Sequence, residues 1–257
     1  MNDNHDFFRL TSLLREHDAL SRMRYGGEAM LVPVTVREDV RLSDLLALER
    51  QITAATANVE AFLRGDAYNH MQFWGARGTG KSSLVRALFH HYRNQGLAIV
   101  QLASDDLHDL AYLLWTMGQV SRHFVVFIDD LSFSADDGGY RALKAVLDGS
   151  LTGIAANVML VVTSNRRHFL PEHHADDRAL HPEEDVEEHI SLSERFGLRL
   201  SFHPLKQDEY LAAVAHWLEV DVLDEATRRA ALQFALAAGS RSARVASQFV
   251  RSRGREA

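Results

Sequence analysis

An eight-residue stretch rich in glycine constrains this chain more than any other feature. Residues 75–82 read GARGTGKS and fit the pattern G-x-x-x-x-G-K-[ST] at every position. Glycine adopts backbone conformations that other residues avoid, so such a loop can turn several N–H groups toward one anion. A lysine and a hydroxyl follow at the spacing that suits a phosphate chain and its Mg²⁺. The stretch therefore predicts a phosphate-binding loop.

The flanks of the loop agree with this interpretation. Residues 71–74 form a short apolar run typical of a buried strand, and Leu84, Val85, Leu88 and Phe89 recur at helical spacing. The loop would thus join a strand to a helix whose positive N-terminal end faces the anion. The predicted nucleotide contacts are Gly75, Ala76, Arg77, Gly78, Thr79, Gly80, Lys81, Ser82 and Ser83. Lys81 would reach the β- and γ-phosphates, and the Ser82 hydroxyl would ligate Mg²⁺.

Strand and helix patterns alternate from residue 71 onward. Strands are predicted at 71–74, 97–102, 123–128, 157–163 and 198–202, and helices at 81–94, 106–118 and 139–148. This alternation indicates βαβ units, and the continuous apolar runs are typical of strands buried on both sides. The predicted fold class is α/β, a P-loop three-layer sandwich with a parallel sheet.

The two ends of the chain have different patterns. Residues 1–40 are predicted as a separate N-terminal segment with a first helix and an extended piece at 30–36, and residues 42–63 as a long helix. After Pro204 only helical patterns remain, at 206–219, 224–237 and 241–252. The predicted domains are therefore the N-terminal segment, an α/β nucleotide-binding domain over 41–204, and a small all-helical domain over 205–257.

Composition narrows the class of protein. The net charge of −7 argues against a dedicated nucleic-acid-binding protein, although arginines concentrate near the C-terminus. The sequence contains no cysteine, which excludes disulfides and thiolate chemistry. The N-terminus lacks a signal-peptide pattern, and the apolar run at 124–128 is too short to span a bilayer. We expect a cytoplasmic protein without a membrane association.

Acidic residues end one of the predicted strands. Asp129 and Asp130 follow the apolar run at 124–128, and ligands of open α/β sheets bind at such strand ends. Asp129 is suited to hold Mg²⁺ beside Ser82, directly or through water. Asp130 could orient or deprotonate an attacking water, or it could merely cap the next loop.

The strand predicted at 157–163 leads into Ser164 and Asn165. Asn165 could hold the attacking water or contact the γ-phosphate. If this strand stood alone, without the other motifs, Asn165 would be interpreted as a turn residue. The stretch 168–189 that follows is rich in histidine and carboxylates but lacks a zinc-binding spacing. A loop that faces a partner or substrate is the favoured interpretation of this stretch.

Together these features resemble the AAA+ ATPases of the P-loop class. The order of the phosphate loop, the acid-tipped strand, the polar-tipped strand, Arg195 and a helical lid matches that superfamily. The strings GARGTGKSSLVRAL, FIDDLSF, TSNRRH and SLSERFGL are similar to uncharacterised bacterial AAA+-type ATP-binding proteins grouped as a domain of unknown function. The resemblance covers roughly residues 40–250 and implies a lid domain at the C-terminal end.

The resemblance implies a role for each motif residue. Lys81 and Ser82 would be the Walker A lysine and Mg²⁺ ligand, Asp129 the Walker B aspartate, and Asn165 sensor 1. Asp130 occupies the position where most of the superfamily has glutamate, which shortens the side chain by about 1.5 Å and leaves the catalytic base open.

Two arginines complete the implied site. Arg195 would be an arginine finger that reaches a neighbouring subunit's nucleotide, or it would form a surface ion pair with Glu194 or Glu187. Arg244 would be sensor 2 in the lid, with Arg241 as the alternative.

The function that the resemblance implies is hydrolysis of ATP to ADP with Mg²⁺. The output would be remodelling or loading of an unidentified protein or nucleic-acid partner by a homo-oligomer. Two alternatives stay open from the residues themselves: a slow nucleotide-gated binding switch, which Asp130 suggests, and a P-loop kinase for a small molecule.

Overall fold

Seven strands form one mostly parallel sheet in the computed structural model, which describes residues 3–25, 28–38, 40–133, 138–148, 153–167, 169 and 192–253. The strands are β1 Ala19–Tyr25, β2 Glu28–Pro33, β3 Met71–Gly75, β4 Leu97–Leu102, β5 His123–Ile128, β6 Val158–Ser164 and β7 Leu198–Phe202. Their order in the sheet is β2-β1-β4-β5-β6-β3-β7, and only β1 and β2 pair antiparallel. This arrangement confirms the predicted fold class.

Helices flank the sheet and follow it. They are α1 Asp3–Glu16, α2 Glu49–Arg64, α3 Lys81–Tyr92, α4 Leu110–Gly118, α5 Gly138–Leu147, α6 Gln207–Leu218, α7 Glu225–Ala237 and α8 Ala243–Arg253. Short 3₁₀ turns cover Leu42–Asp44, Arg93–Gln95 and Ser104–Asp109. The predicted helices at 81–94 and 106–118 therefore each include a 3₁₀ turn.

Both faces of the sheet are buried, as the apolar strand sequences predict. Along β5, Phe124 and Val126 belong to one apolar core, whereas Val125 and Phe127 belong to the other. Side chains of α1, α4 and α5 complete the first core, and side chains of α2 and α3 complete the second. A strand buried on both faces needs apolar residues at successive positions, which is why β5 lacks alternation.

The three C-terminal helices share a third apolar cluster. It contains Tyr210, Val214, Ala231, Ala246 and Phe249, all of them buried. The Tyr210 hydroxyl donates a hydrogen bond to the Ala231 carbonyl oxygen at 3.1 Å, which satisfies this buried polar group. Three short amphipathic helices with a core of their own match the all-helical unit expected after residue 204. The domain boundaries themselves stay a prediction.

The N-terminal region differs from its predicted form. β1 pairs in parallel with β4, so the β1–β2 hairpin extends the sheet instead of forming a separate segment. The sequence did not reveal β1 because arginines interrupt its apolar pattern. Arg22 and Arg24 pair with Asp109 and Asp106, which lie more than 80 positions away in the sequence.

The helix predicted at 42–63 begins only at Glu49. A 3₁₀ turn spans Leu42–Asp44, and Ala47 has a φ of 57°, a left-handed conformation that interrupts an α-helix. The segment that contains this turn and leads into α2 packs Leu45 and Leu48 into the core on the α3 side of the sheet. We call residues 40–48 the arm.

Candidate nucleotide-binding site

The glycine-rich loop joins β3 to α3, as the sequence predicts. Gly75, Gly78 and Gly80 have φ values of 139°, 78° and 103°, which L-residues rarely adopt. At Gly75 a Cβ would lie only 1.9 Å from the Phe202 carbonyl oxygen of β7. The first glycine of the motif is thus required both by its backbone conformation and by the close approach of the neighbouring strand.

The other two glycines place the loop against the arm and the helical region. A Cβ at Gly78 would lie 2.9 Å from Ser242 Oγ and 3.3 Å from Arg244 Cβ. A Cβ at Gly80 would lie 2.9 Å from Leu48 Cδ1. The loop is therefore enclosed by residues that precede β3 and by residues that begin α8.

Lys81 is buried at the first turn of α3, with its ammonium group directed back into the loop. Its Nζ donates to the carbonyl oxygens of Gly75 at 2.6 Å and Ala76 at 2.8 Å, and to Asn165 Oδ1 at 3.1 Å. Burial lowers the pKa of Lys81, and the nearby Asp130 and Asp129 oppose that shift. Lys81 thus links the phosphate loop to Asn165, which the sequence predicts to share a site with it.

Ser82, Asp129 and Thr163 form one hydrogen-bonded group at the strand ends. The hydroxyls of Ser82 and Thr163 donate to Asp129 Oδ1 at 2.7 and 2.5 Å. A carboxylate and a hydroxyl held this close provide the hard oxygen ligands that Mg²⁺ prefers. The residues present therefore fit the predicted metal site.

Asp130 occupies an unusual turn directly after β5. Its φ is 54°, a left-handed conformation that aspartate tolerates better than most residues. Thr163 holds this turn twice, because its Oγ1 accepts from the Asp130 N–H at 2.8 Å and its carbonyl oxygen accepts from the Leu131 N–H at 2.7 Å. The Asp130 carboxylate accepts a hydrogen bond from Asn165 Nδ2, and Arg77 Nη2 lies 3.5 Å from its other oxygen.

Thr163 was missed by the sequence reasoning, which treated it as part of a buried strand. It is buried and polar, and it follows the five apolar residues that begin β6. A buried hydroxyl near a strand end needs a hydrogen-bond partner, and this requirement was the available signal.

These residues border one cleft of about 800 Å³. Its lining comprises Val40, Asp44, Leu45, Arg77, Gly78, Gly80, Lys81, Ser82, Ser83, Arg86, Asp129, Asp130, Thr163, Asn165, Trp217, Ala243, Arg244, Ser247, Gln248 and Arg251. Six of the nine predicted nucleotide contacts thus share this lining with both aspartates and Asn165, whereas Gly75, Ala76 and Thr79 do not belong to it. Their roles in binding a nucleotide stay a prediction. Of the two sensor 2 candidates, Arg244 belongs to this lining and Arg241 does not.

The cleft also includes residues that the sequence analysis did not single out. Arg86, Trp217 and Arg251 come from three different helices, and Asp44 comes from the arm. Arg86, Trp217 and Arg251 lie within the helical patterns of α3, α6 and α8, but none of them belongs to a recognisable motif. Only the packing of the helices against the loop identifies them.

Arg195 does not belong to the described lining of the cleft. Its guanidinium forms an ion pair with Asp148, at the C-terminal end of α5, and not with Glu194 as one alternative proposed. The other proposed partner, Glu187, lies outside the described residues, as does the histidine-rich stretch apart from Phe169. Within the described residues, no group of three metal-ligating side chains occurs.

Similar architectures occur among solved structures. RuvB of Thermotoga maritima, a Holliday junction branch migration motor, matches with a TM-score of 0.55 and 17% identity over 82% of this chain and 63% of its own. The Orc1 protein of Aeropyrum pernix, solved in complex with DNA, matches with a TM-score of 0.56 and 15% identity over 84% and 60%. AMPPCP-bound DnaA from Aquifex aeolicus matches with a TM-score of 0.52 and 16% identity over 76% and 60%.

These solved structures are of AAA+ P-loop ATPases, and at 15–17% identity the likeness shows that this chain shares their fold. The chain itself belongs to the family described as "Protein of unknown function (DUF815)", whose profile matches residues 15–256. A comparison with curated proteins found no match. The chain spans 60–63% of the length of the three solved structures. In the described part of the chain, no helix is long and apolar enough to cross a bilayer.

Proposed function

We propose that this protein is a Mg²⁺-dependent AAA+ ATPase that couples its nucleotide state to a macromolecular partner. The observation that carries the proposal is the convergence of Lys81, the Ser82–Asp129 pair, the Asp130–Asn165 pair and Arg244 on one cleft. A phosphate loop alone supports only binding of a polyphosphate. The added carboxylates, amide and lid arginine supply what hydrolysis needs.

The loop and Lys81 would bind the triphosphate. Phosphate oxygens would compete for the Lys81 ammonium protons that now reach two loop carbonyls and Asn165. Ser82 and Asp129 would hold Mg²⁺, which neutralises phosphate charge when bound. Arg244 would add a positive charge from α8, which borders the same cleft.

Hydrolysis would use the carboxylate next to the metal ligand. In this scheme Asn165 orients a water, and Asp130 accepts the water's proton as its oxygen bonds to the γ-phosphorus. The bond between the γ-phosphorus and the β–γ bridging oxygen breaks, and ADP leaves with that electron pair. Asn165 suits this task because its amide already contacts both Lys81 and Asp130.

The nucleotide is proposed to be ATP. Val40 and Leu45 of the arm and Trp217 of α6 provide apolar surface in the cleft, which suits a nucleobase. The structurally similar DnaA was solved with AMPPCP, an ATP analogue, which supports the same choice here.

Coupling to a partner would operate through the helical region. Ser242 and Arg244 approach the loop at Gly78, so a phosphate chain bound by the loop would lie beside the start of α8. A ligand can bias a hinge only through such differential contacts. We propose that the angle of α6–α8 reports the nucleotide to neighbouring subunits in a homo-oligomer, and thereby to a protein or nucleic-acid partner in the cytoplasm.

A slow binding switch is the second candidate, and the environment of Asp130 favours it. Both carboxylate oxygens of Asp130 already have partners, Asn165 and Arg77. A base engaged in this way would deprotonate water slowly unless a partner is released. In this case ATP binding, and not turnover, would be the signal.

The test of the proposal is nucleotide binding and acceptor-free phosphate release by the purified chain. Lys81→Ala is expected to weaken ATP binding by roughly tenfold or more and to abolish release, because the buried ammonium would be lost. Lys206→Ala is the matched control, since Lys206 is an exposed lysine before α6 that does not belong to the cleft lining. Wild-type protein that binds no ATP would contradict the proposal, and release that requires an added acceptor would favour a kinase.

The partner can be sought by affinity capture with Asp130→Asn in the presence of ATP. This variant is expected to bind ATP without hydrolysing it and so to retain the ATP-dependent partner. Lys81→Ala, which is expected to bind ATP more weakly, serves as the control. A protein or nucleic acid retained equally by both variants does not depend on the nucleotide.

A further inference from the structure

Arg77 occupies a distinctive position within the phosphate loop. It lies between Gly75 and Gly80, its side chain borders the cleft, and its Nη2 lies 3.5 Å from Asp130 Oδ2. Its side chain is 77% exposed. An exposed ion pair at this distance contributes little stability, so the guanidinium can leave Asp130 at small cost.

The charge of Arg77 acts where phosphate would bind. Arg77 and Lys81 both line the cleft, so the guanidinium lies in the same site as the ammonium that would contact the β- and γ-phosphates. Guanidinium matches phosphate oxygens with two parallel N–H donors, which makes arginine suited to this position.

We propose that Arg77 is a catalytic residue that acts within its own subunit, by moving from Asp130 to the γ-phosphoryl group of ATP. This inference rests on the proposed ATPase function. A γ-phosphoryl group carries more negative charge than one carboxylate, so it attracts the guanidinium more strongly. The exchange frees Asp130 Oδ2 to accept the proton of the attacking water and places a positive charge on the oxygens that gain charge in the transition state.

The geometry has a direct consequence for nucleotide discrimination. ADP lacks the γ-phosphoryl group that would attract the guanidinium, so Arg77 would stay paired with Asp130. ATP both recruits Arg77 and releases the base. Arg77 would therefore contribute to the binding of triphosphates and to turnover, but not to the binding of ADP. The contacts of Asp130 suggest slow turnover, and the departure of Arg77 from Asp130 would be the event that limits it.

The experiment compares Arg77→Ala and Arg77→Lys with wild type and with Arg64→Ala. Arg64 is a matched control, because it is also an exposed arginine paired with a carboxylate, Asp66, and it is the last residue of α2 and does not belong to the cleft lining. The measurements are kcat for phosphate release, affinity for ADP, affinity for AMPPCP, and the thermal unfolding midpoint. These readouts separate chemistry, diphosphate binding, triphosphate binding and folding.

Arg77→Ala is expected to lower kcat by roughly tenfold or more and AMPPCP affinity by several fold, with ADP affinity within about twofold of wild type. Arg77→Lys should recover part of kcat because it keeps the charge, and Arg64→Ala should match wild type. A kcat of Arg77→Ala within about twofold of wild type would overturn the inference. Equal losses of ADP and AMPPCP affinity would also overturn it, since they indicate a general effect on the loop.

Failure of the inference is distinguishable from failure of the proposed function. If wild type hydrolyses ATP and Arg77→Ala hydrolyses it equally well, only the role of Arg77 is refuted. If wild type neither binds nor hydrolyses ATP, the proposed function is refuted first, and the inference with it.

Discussion

At the scale of single residues, Asp130 shows how backbone conformation and side-chain chemistry are linked. Its left-handed φ of 54° favours aspartate or asparagine over longer side chains, and Thr163 holds that turn by two hydrogen bonds. The short carboxylate then reaches Asn165. The aspartate at this position, where the resemblance to AAA+ ATPases implies glutamate, thus has a local structural reason in this chain.

Asp130→Glu tests whether this geometry serves catalysis. We expect a fall in kcat of roughly tenfold, because the longer side chain suits the left-handed turn less well and displaces the contact with Asn165. The measurement is acceptor-free phosphate release, with ATP affinity determined in parallel. Asp130→Asn is the matched control: it fits the same turn, should bind ATP normally, and should lose nearly all turnover. A rise in kcat for Asp130→Glu would instead favour the binding switch.

At the scale of elements, the strand–loop–helix unit depends on the neighbouring strand β7. Residues 71–75 pair with both β6 and β7, and the Phe202 carbonyl oxygen lies against Gly75. The motif predicted the loop and the helix after it. It did not predict this contact, because the pairing joins residues more than 120 positions apart.

Gly75→Ala and Gly65→Ala form a pair that separates steric conflict from backbone strain. Both glycines have positive φ, but a Cβ at Gly65 meets nothing within 4 Å. Gly65→Ala should lower the free energy of unfolding by about 1 kcal/mol, the cost of the left-handed conformation. Gly75→Ala should lower it by about 3 kcal/mol or more, because the strand must also move away from β7. Denaturant unfolding measures both, and equal losses would contradict the contact with Phe202.

The N-terminal hairpin illustrates a second limit of prediction at this scale. β1 pairs with β4 through its backbone, and Arg22 and Arg24 also pair with acidic residues in the 3₁₀ turn before α4. Neither partner is visible in the local sequence pattern. Propensity and periodicity describe segments, whereas sheet order depends on contacts between segments.

At the scale of the whole molecule, the cleft lies between the loop, the arm and the C-terminal helices. Arg244 borders it from α8, whereas Arg195 pairs with Asp148 and does not belong to its described lining. An arginine outside the cleft of its own subunit would act on a nucleotide only in another subunit. We therefore keep the proposal that Arg195 acts between copies of the chain, where it would have to leave its ion pair with Asp148.

Arg195→Ala is expected to remove most hydrolysis, roughly a hundredfold or more, while ATP affinity changes little. Mixing it with Lys81→Ala should restore activity above the sum of the two variants, because Lys81→Ala subunits still carry Arg195. Phosphate release by the mixture is the measurement, and subunit exchange is verified with labelled protein. Without recovery in a confirmed mixed oligomer, Arg195 would not be acting between subunits.

The sequence by itself determined the class of fold and the residues of the nucleotide site that belong to motifs. The phosphate loop, Asp129, Asp130 and Asn165 could be predicted because each lies at the end of a strand whose apolar pattern is local. Only the tertiary structure decided how β1 joins the sheet, that Thr163 supports Asp130, that Arg244 borders the cleft, and that Arg77 faces the proposed base. The physical reason is that short-range patterns determine strands and helices, whereas hydrogen bonds and ion pairs between distant segments form only when the sheet and helices pack together.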